Sequence, residues 1–205
     1  MQVIAGRARG TPLQAPPGRR TRPTADRLKA AIFSMLEAEA FKRGVVPPSD
    51  APAGTLLVGV AWPRVLDLYA GSGALGIEAL SRGAQWADFV EADPAARRAL
   101  EANLRRTRLA DRARVHALTA AAAISTWQEP YDLILLDPPY ADPTIPAILE
   151  ALGRSALLKP SSVVVLEHAR QFAPPERAGR LVRQRTRYHG GSGVTLYSVA
   201  SAEAA

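Results

Sequence analysis

Residues Val65–Ala79 read "VLDLYAGSGALGIEA". The stretch begins as a run of Val and Leu, passes through Gly71 and Gly73, and ends in helix formers around Gly76. These three glycines satisfy G-x-G-x-x-G between a strand and a helix, and Glu91 follows twenty residues after Gly71. Such a turn belongs to a doubly wound α/β sheet, whose ligands sit beyond the carboxyl ends of the strands. The chain keeps the same alternation from Arg64 onward. "WADFVEAD", "ARVHAL", "YDLILLD" and "SSVVVLEHA" read as strands, separated by the helical "PAARRALEANLRRTRL", the weakly helical "AAAAISTW" and the helical "TIPAILEALGRSALL". "RLVRQRTRYHGGSGVTLYSVA" reads as two final strands around a Gly-rich turn. Continuous apolar runs alternating with helices predict a mostly parallel, seven-stranded sheet with helices on both faces.

The glycine turn admits two ligands, or none if it is a tight turn alone. As a dinucleotide fingerprint it would seat a pyrophosphate, with Glu91 on a ribose hydroxyl. Pyrophosphate wants bare amides and positive potential, and Asp67, four residues before Gly71, opposes that. S-adenosylmethionine carries an ammonium and a sulfonium and no phosphate, so an acid beside the turn favours it. Gly71 and Gly73 lack the Cβ that would keep the backbone from the methionine portion. Glu91 would still hold the ribose, and Tyr69 would form a wall.

Upstream, residues 1–23 are rich in Arg, Gly, Pro and Thr and read as a basic arm or irregular hairpin. A helix is expected from about Ala25 to Lys42 with Thr24 as its cap, because Leu28, Ala31, Ile32, Met35 and Leu36 recur at helical spacing. "VVPPSDAPAG" reads as a loop, and "TLLVGVAWP" as a short strand or an apolar insertion. The tail 201–205 is expected to fray, leaving 24–200 as one domain. The 205 residues carry a formal net charge of +7. Arg7, Arg9, Arg19, Arg20, Arg22, Arg27 and Lys29 face Asp26 alone, so +6 falls within residues 1–29. A second cluster runs through Arg177, Arg180, Arg183, Arg185 and Arg187. Clustered arginine fits a phosphate-rich partner, and equally a solvated face in a chain with three lysines. Without cysteine there is no thiolate nucleophile and no thiolate metal site. His116, His168 and His189 have no metal-ligand spacing. No apolar run reaches the roughly 20 residues of a membrane span. "MQVIAGRARG" has no apolar signal core, so a cytoplasmic location is expected.

The strand "YDLILLD" ends in Asp137-Pro138-Pro139-Tyr140. As an isolated tetrapeptide this is a turn signal. At the carboxyl end of a strand in a doubly wound sheet, it is a candidate catalytic segment.

"DLYAGSGALGIEA", "VEAD" and "LLDPPY", in that order and spacing, resemble class I S-adenosylmethionine-dependent methyltransferases that act on exocyclic amines of adenine or guanine. With "GRARGTPLQAPPGRRTRPTADRLKAAIF" added, the chain from about Gly6 to Tyr197 resembles the bacterial RsmD family. That resemblance implies a Rossmann-like methyltransferase which modifies the N2 amine of a guanine in 16S ribosomal RNA. It implies a monomer acting on a 30S subunit or an assembly intermediate, with no metal and no membrane. It implies catalysis by Asp137, Pro138, Pro139 and Tyr140. The implied cofactor site is Asp67, Tyr69, Gly71, Ser72, Gly73, Glu91, Ala92, Thr119 and Asp137. Charge makes Arg19, Arg20, Arg22, Arg27 and Lys29 candidate phosphate contacts, and the resemblance places Arg22, Thr24 and Arg27 of "RPTADR" beside the target, the rival reading being Thr24 as a helix cap and Asp26–Arg27 as part of an ion pair. Two features depart from the family. Residues 44–63 look like an insertion, and Thr119 stands where an Asp or Asn usually meets the cofactor adenine. The competing readings are a DNA adenine N6-methyltransferase, an NAD-dependent oxidoreductase and a non-catalytic RNA-binding module.

Overall fold

The computed structural model describes residues 1–16, 24–47, 49–50 and 55–200. Its centre is an eight-stranded sheet in the order β3-β2-β1-β4-β5-β8-β7-β6. The strands are β1 Arg64–Asp67, β2 Trp86–Val90, β3 Ala113–His116, β4 Tyr131–Leu136, β5 Leu158–Ala169, β6 Arg177–Ala178, β7 Leu181–His189 and β8 Ser192–Val199. The first five pair in parallel, and β8, β7 and β6 add in antiparallel fashion. The eighth strand, beyond the seven expected, is the two-residue β6 at one edge. It is too short for any periodicity to reveal. The helices are α1 Thr24–Lys42, α2 Leu57–Ala61, α3 Ala74–Ser81, α4 Pro94–Thr107, α5 Ala120–Thr126 and α6 Ile145–Arg154. Among the described residues, no helix is long and apolar enough to cross a membrane.

β4 shows why its run Leu133–Leu136 is unbroken Leu and Ile. Leu133 and Leu135 enter one core with Ile32, Phe33 and Leu100, while Ile134 and Leu136 enter the other with Leu149 and Leu152. A strand covered on both faces has no polar side to alternate with. The segment "TLLVGVAWP" is not a strand. It forms α2, Gly59 lies so close to Gly83 that a Cβ would stand 2.4 Å from its carbonyl carbon, and Trp62 is buried.

Residues 1–16 fold back on themselves. Val3 N–H donates to Thr11 O, and Gly10 N–H donates to Val3 O. The hairpin docks on α3 and α4 through buried side chains. Glu78 accepts from the amides of Ile4 (2.8 Å) and Ala5 (3.0 Å), and Ser81 Oγ accepts from Ala8 N–H (3.0 Å). Asn103 accepts from Gln14 N–H and donates to Gln14 O.

Candidate active site

Three neighbouring strands end in carboxylates at the same edge of the sheet. Asp67 closes β1, Glu91 follows β2, and Asp137 follows β4, with β1 between the other two. Asp67 is buried. Its Oδ2 accepts from Gly76 N–H at 3.0 Å, so it braces the first turn of α3. Its Oδ1 is buried and makes no hydrogen bond of normal geometry. Burial pushes its carboxyl pKa up to about 7, and the negative charges of Asp137 and Glu91 push the same way. The amides of Gly76 and Tyr69 oppose this and do not cancel it. A cation at this point would satisfy the orphaned oxygen and favour the carboxylate.

Glu91 reaches the glycine turn directly. Its Oε2 accepts from Gly71 N–H (2.8 Å) and its Oε1 from Asp93 N–H (2.8 Å). Each oxygen keeps a second lone pair, so the carboxylate can still accept from a ribose diol. Gly71 adopts φ +54°, which L residues rarely adopt, and a Cβ there would meet nothing closer than 4.0 Å, so the position is open above the turn. Gly73 and Gly76 have another reason. A Cβ on Gly73 would lie 2.2 Å from Leu100 Cδ1, and one on Gly76 would lie 2.3 Å from Phe89 Cε1. Packing against Leu100 and Phe89 is thus a reason of its own for glycine at these two positions. Ser72 is buried, and its carbonyl accepts from Asn103 Nδ2 at 2.9 Å, which links the turn to the N-terminal hairpin.

Beside this edge lies a cavity of about 250 Å³. Tyr69, Glu91, Ala92, Leu118, Thr119 and Asp142 are among its walls. Burial pushes the Tyr69 phenol up to about 12, with the Asp142 carboxylate adding to it. The phenol is a neutral wall. Thr119 caps α5, its Oγ1 accepting from Ala122 N–H at 3.2 Å, so its hydroxyl is already engaged as an acceptor. Sequence reasoning missed Asp142. Its Oδ1 accepts from the Thr144 amide (2.9 Å) and hydroxyl (2.6 Å), and this fixes the carboxylate at the cavity. An acid two residues before a Thr at a helix start was the available signal.

In the Asp137–Tyr140 segment, Asp137 is exposed, Pro138 is buried and Tyr140 is half-buried. Pro139 O accepts from Asp142 N–H (2.9 Å), whereas no described residue donates to Pro138 O. Tyr140 donates its hydroxyl proton to Glu167 Oε1 (2.9 Å) and also meets Ser192 Oγ closely, so its ring is held from β5 and β8. His168 is buried against Thr195 Oγ1 and the Ala169 carbonyl, and burial pushes its pKa down.

The basic residues divide. Arg19, Arg20 and Arg22 lie outside the described residues, as does the Thr24 side chain. Arg27 is exposed on the first turn of α1. Lys29 is corrected: it is 3% exposed, donates to Gln2 O (2.6 Å) and faces Glu78 Oε2 (3.4 Å), so it serves the interior and not a phosphate. In the second cluster, Arg180 binds the carbonyls of Gly153, Ser155 and Leu158, Arg183 binds Pro174 O and Glu176, and Arg185 binds Met35 O and Glu39. Those three hold the antiparallel edge together.

The family described as "Conserved hypothetical protein 95" matches residues 1–198. The chain belongs to this family, the RsmD family. Over 203 residues it is 36% identical to the Bacillus subtilis (strain 168) protein YlbH, which bears a provisional rRNA methyltransferase name, covering 96% of this chain and 98% of that one. Over 167 residues it is 30% identical to the Escherichia coli (strain K12) protein named ribosomal RNA small subunit methyltransferase D, covering 82% and 74%. A solved structure from Thermus thermophilus superimposes with a TM-score of 0.75 at 31% identity, covering 97% and 99%. The RsmD family fold is thus the α/β methyltransferase fold with its mostly parallel central sheet.

Proposed function

We propose that the chain is an S-adenosylmethionine-dependent methyltransferase acting on the exocyclic N2 amine of a guanine in small-subunit ribosomal RNA. The observation that carries this reading is the exposed Asp137 carboxylate at the end of β4, followed by a Pro138 carbonyl to which no described residue donates, beside the strand-end carboxylates of Asp67 and Glu91 that suit a cationic donor. The names of the relatives support rRNA as the substrate and do not favour duplex DNA.

Asp67 and Glu91 would hold the cofactor by its charge and its ribose, and Asp142 would accept from the adenine amine in place of Thr119. When bound, S-adenosylmethionine supplies a methyl group already activated on sulfonium sulfur. A guanine amine is a poor nucleophile because its lone pair is delocalised into the ring. Asp137 and Pro138 O would each accept one amine hydrogen and turn that lone pair toward the methyl carbon. The prolines fix φ near −65°, so the carbonyl is in place beforehand. As the new N–C bond forms and the C–S bond breaks, positive charge grows on nitrogen. Asp137 stabilises that charge and then takes the proton. The locked Tyr140 ring would stack on the extruded base, a contact worth about 1–3 kcal/mol.

Labelled S-adenosylmethionine offered with undermethylated small subunits, naked 16S RNA or duplex DNA tests this directly. N2-methylguanosine in digested rRNA is expected. Label on DNA alone, or on adenine N6, overturns the reading.

The buried acid gives a pH test. Asp67 has its pKa raised to about 7, and a cationic ligand lowers it by favouring the carboxylate. Binding therefore releases a proton below that value. Cofactor affinity should rise with pH up to about 7 and level off above it, and Asp67→Asn should flatten the profile. Calorimetry in buffers of different ionisation enthalpy measures the proton released.

A further inference from the structure

We propose that the corner formed by the end of α4, the 3-10 turn Ala110–Arg112 and the start of β3 binds the phosphate backbone of the substrate RNA, away from the catalytic edge. This rests on the reading of RNA as substrate. Five arginines, Arg105, Arg106, Arg108, Arg112 and Arg114, fall within ten residues against Asp111 alone. Elsewhere, arginines such as Arg82 and Arg185 are drawn into ion pairs with Glu78 and Glu39. Here, among the described residues, Arg105, Arg108, Arg112 and Arg114 have no ion pair and no side-chain hydrogen bond, and Arg106 donates to Pro12 O at 3.3 Å.

The backbone supplies an independent observation. Arg108 closes α4 at φ 57° and ψ 41°, and it is the single non-glycine residue with positive φ among the described residues. Glycine is the residue favoured at such a helix end, because a Cβ is crowded there. The helix dipole rewards cations in the last turn, which accounts for Arg105 and Arg106. It does not reach Arg112 and Arg114, and it does not require Arg at the strained position itself. Strain kept where glycine would relieve it marks a side chain with a use.

The corner is also joined to the substrate side of the fold. α4 starts three residues after Glu91 and runs for 14 residues, roughly 21 Å at 1.5 Å per residue. The N-terminal hairpin lies on this helix through Asn103 and Arg106 and carries the exposed Arg7 and Arg9. RNA held at the catalytic edge would meet the corner with a flanking helix and not with the target base. Phosphate contacts of this kind fix register without reading sequence.

The test is binding of a small-subunit rRNA transcript by the full chain across a salt series, beside methyl transfer to the same RNA. Arg108→Gly should keep or raise the melting temperature, since glycine suits the conformation. It should also lower the slope of log affinity against log salt by about 0.7–0.9, one phosphate contact. The triple variant Arg105→Gln, Arg112→Gln, Arg114→Gln should lower it by about 2–3. Cofactor affinity and kcat at saturating RNA should stay unchanged. Wild-type slope and affinity in both variants, with normal transfer by the unaltered chain, overturn this inference alone. No transfer to rRNA by the unaltered chain overturns the functional reading and this inference with it.

Discussion

Replacing Asp137 by Ala is expected to lower kcat for methyl transfer by about 10²–10³-fold while leaving cofactor affinity within a few-fold of wild type. The magnitude is that of removing one preorganised partner of a developing charge. The developing charge here is a cation, so the partner is an anion. At 4 Å and an effective dielectric near 20, such a pair interacts by about 4 kcal/mol, and about 1.4 kcal/mol changes a rate tenfold. Asp137→Asn keeps the shape and one acceptor oxygen but loses the charge, so its kcat should fall between the two. Single-turnover transfer of a labelled methyl group isolates this step from product release. A second readout comes from Asp67. Asp137 is one of the charges that hold the Asp67 pKa up. Both substitutions should therefore move the pH midpoint of cofactor binding below about 7. Wild-type kcat in the Ala variant would remove Asp137 from the chemistry, whatever the midpoint does.

The edge that carries the candidate site was legible because its residues mark strand ends in the sequence. Asp67, Gly71 and Asp137 each stand where an apolar run stops, and a doubly wound sheet puts those stops side by side. The roles inside the turn were less legible. Gly73 and Gly76 fit a ligand fingerprint, yet their missing Cβ atoms make room for Leu100 and Phe89, partners on other elements. Lys29 failed for a related reason. It sits within a basic run, and nothing in that run reveals that its helix turns it toward Glu78, 49 residues away. Charge counts locate a basic segment but not the direction of each side chain. Arg105–Arg114 is the converse: the sequence reading named the clusters at 1–29 and 177–187 and passed over this one, which begins inside a predicted helix, and only the structure shows Arg105, Arg108, Arg112 and Arg114 without ion pairs among the described residues. α2 stayed ambiguous because five apolar residues carry too little periodicity to separate helix from strand.

Glu78→Ala is expected to destabilise the fold by about 3–5 kcal/mol, the usual cost of leaving buried charges uncompensated. Its carboxylate is fully buried within the apolar α3, "ALGIEALS", and it serves four partners at once. Ile4 and Ala5 donate backbone amides to it, Arg82 Nε donates to Oε1 at 2.9 Å, and Lys29 Nζ lies 3.4 Å from Oε2. Burial lowers the Lys29 pKa, and Glu78 is the main charge opposing that fall. Arg82 retains Glu37 at 3.4 Å and the Phe33 ring, but Lys29 would retain only the Gln2 carbonyl and the more distant charge of Asp26. Against a total stability of about 5–15 kcal/mol, a loss of this size is a large fraction. Glu78→Gln should cost less, because the amide oxygen still accepts one bond. Adding Lys29→Met to Glu78→Gln should recover part of the loss, since the uncompensated cation is then gone. Denaturant unfolding gives the energies, and hydrogen exchange at the Ile4 and Ala5 amides reports whether the hairpin has lifted from α3. That hairpin leads directly into the arginine-rich segment from residue 17. Its release should weaken RNA binding in Glu78→Gln more than cofactor binding. A cost below about 1 kcal/mol with both amides still protected would mean that Ser81 and Asn103 suffice to hold it.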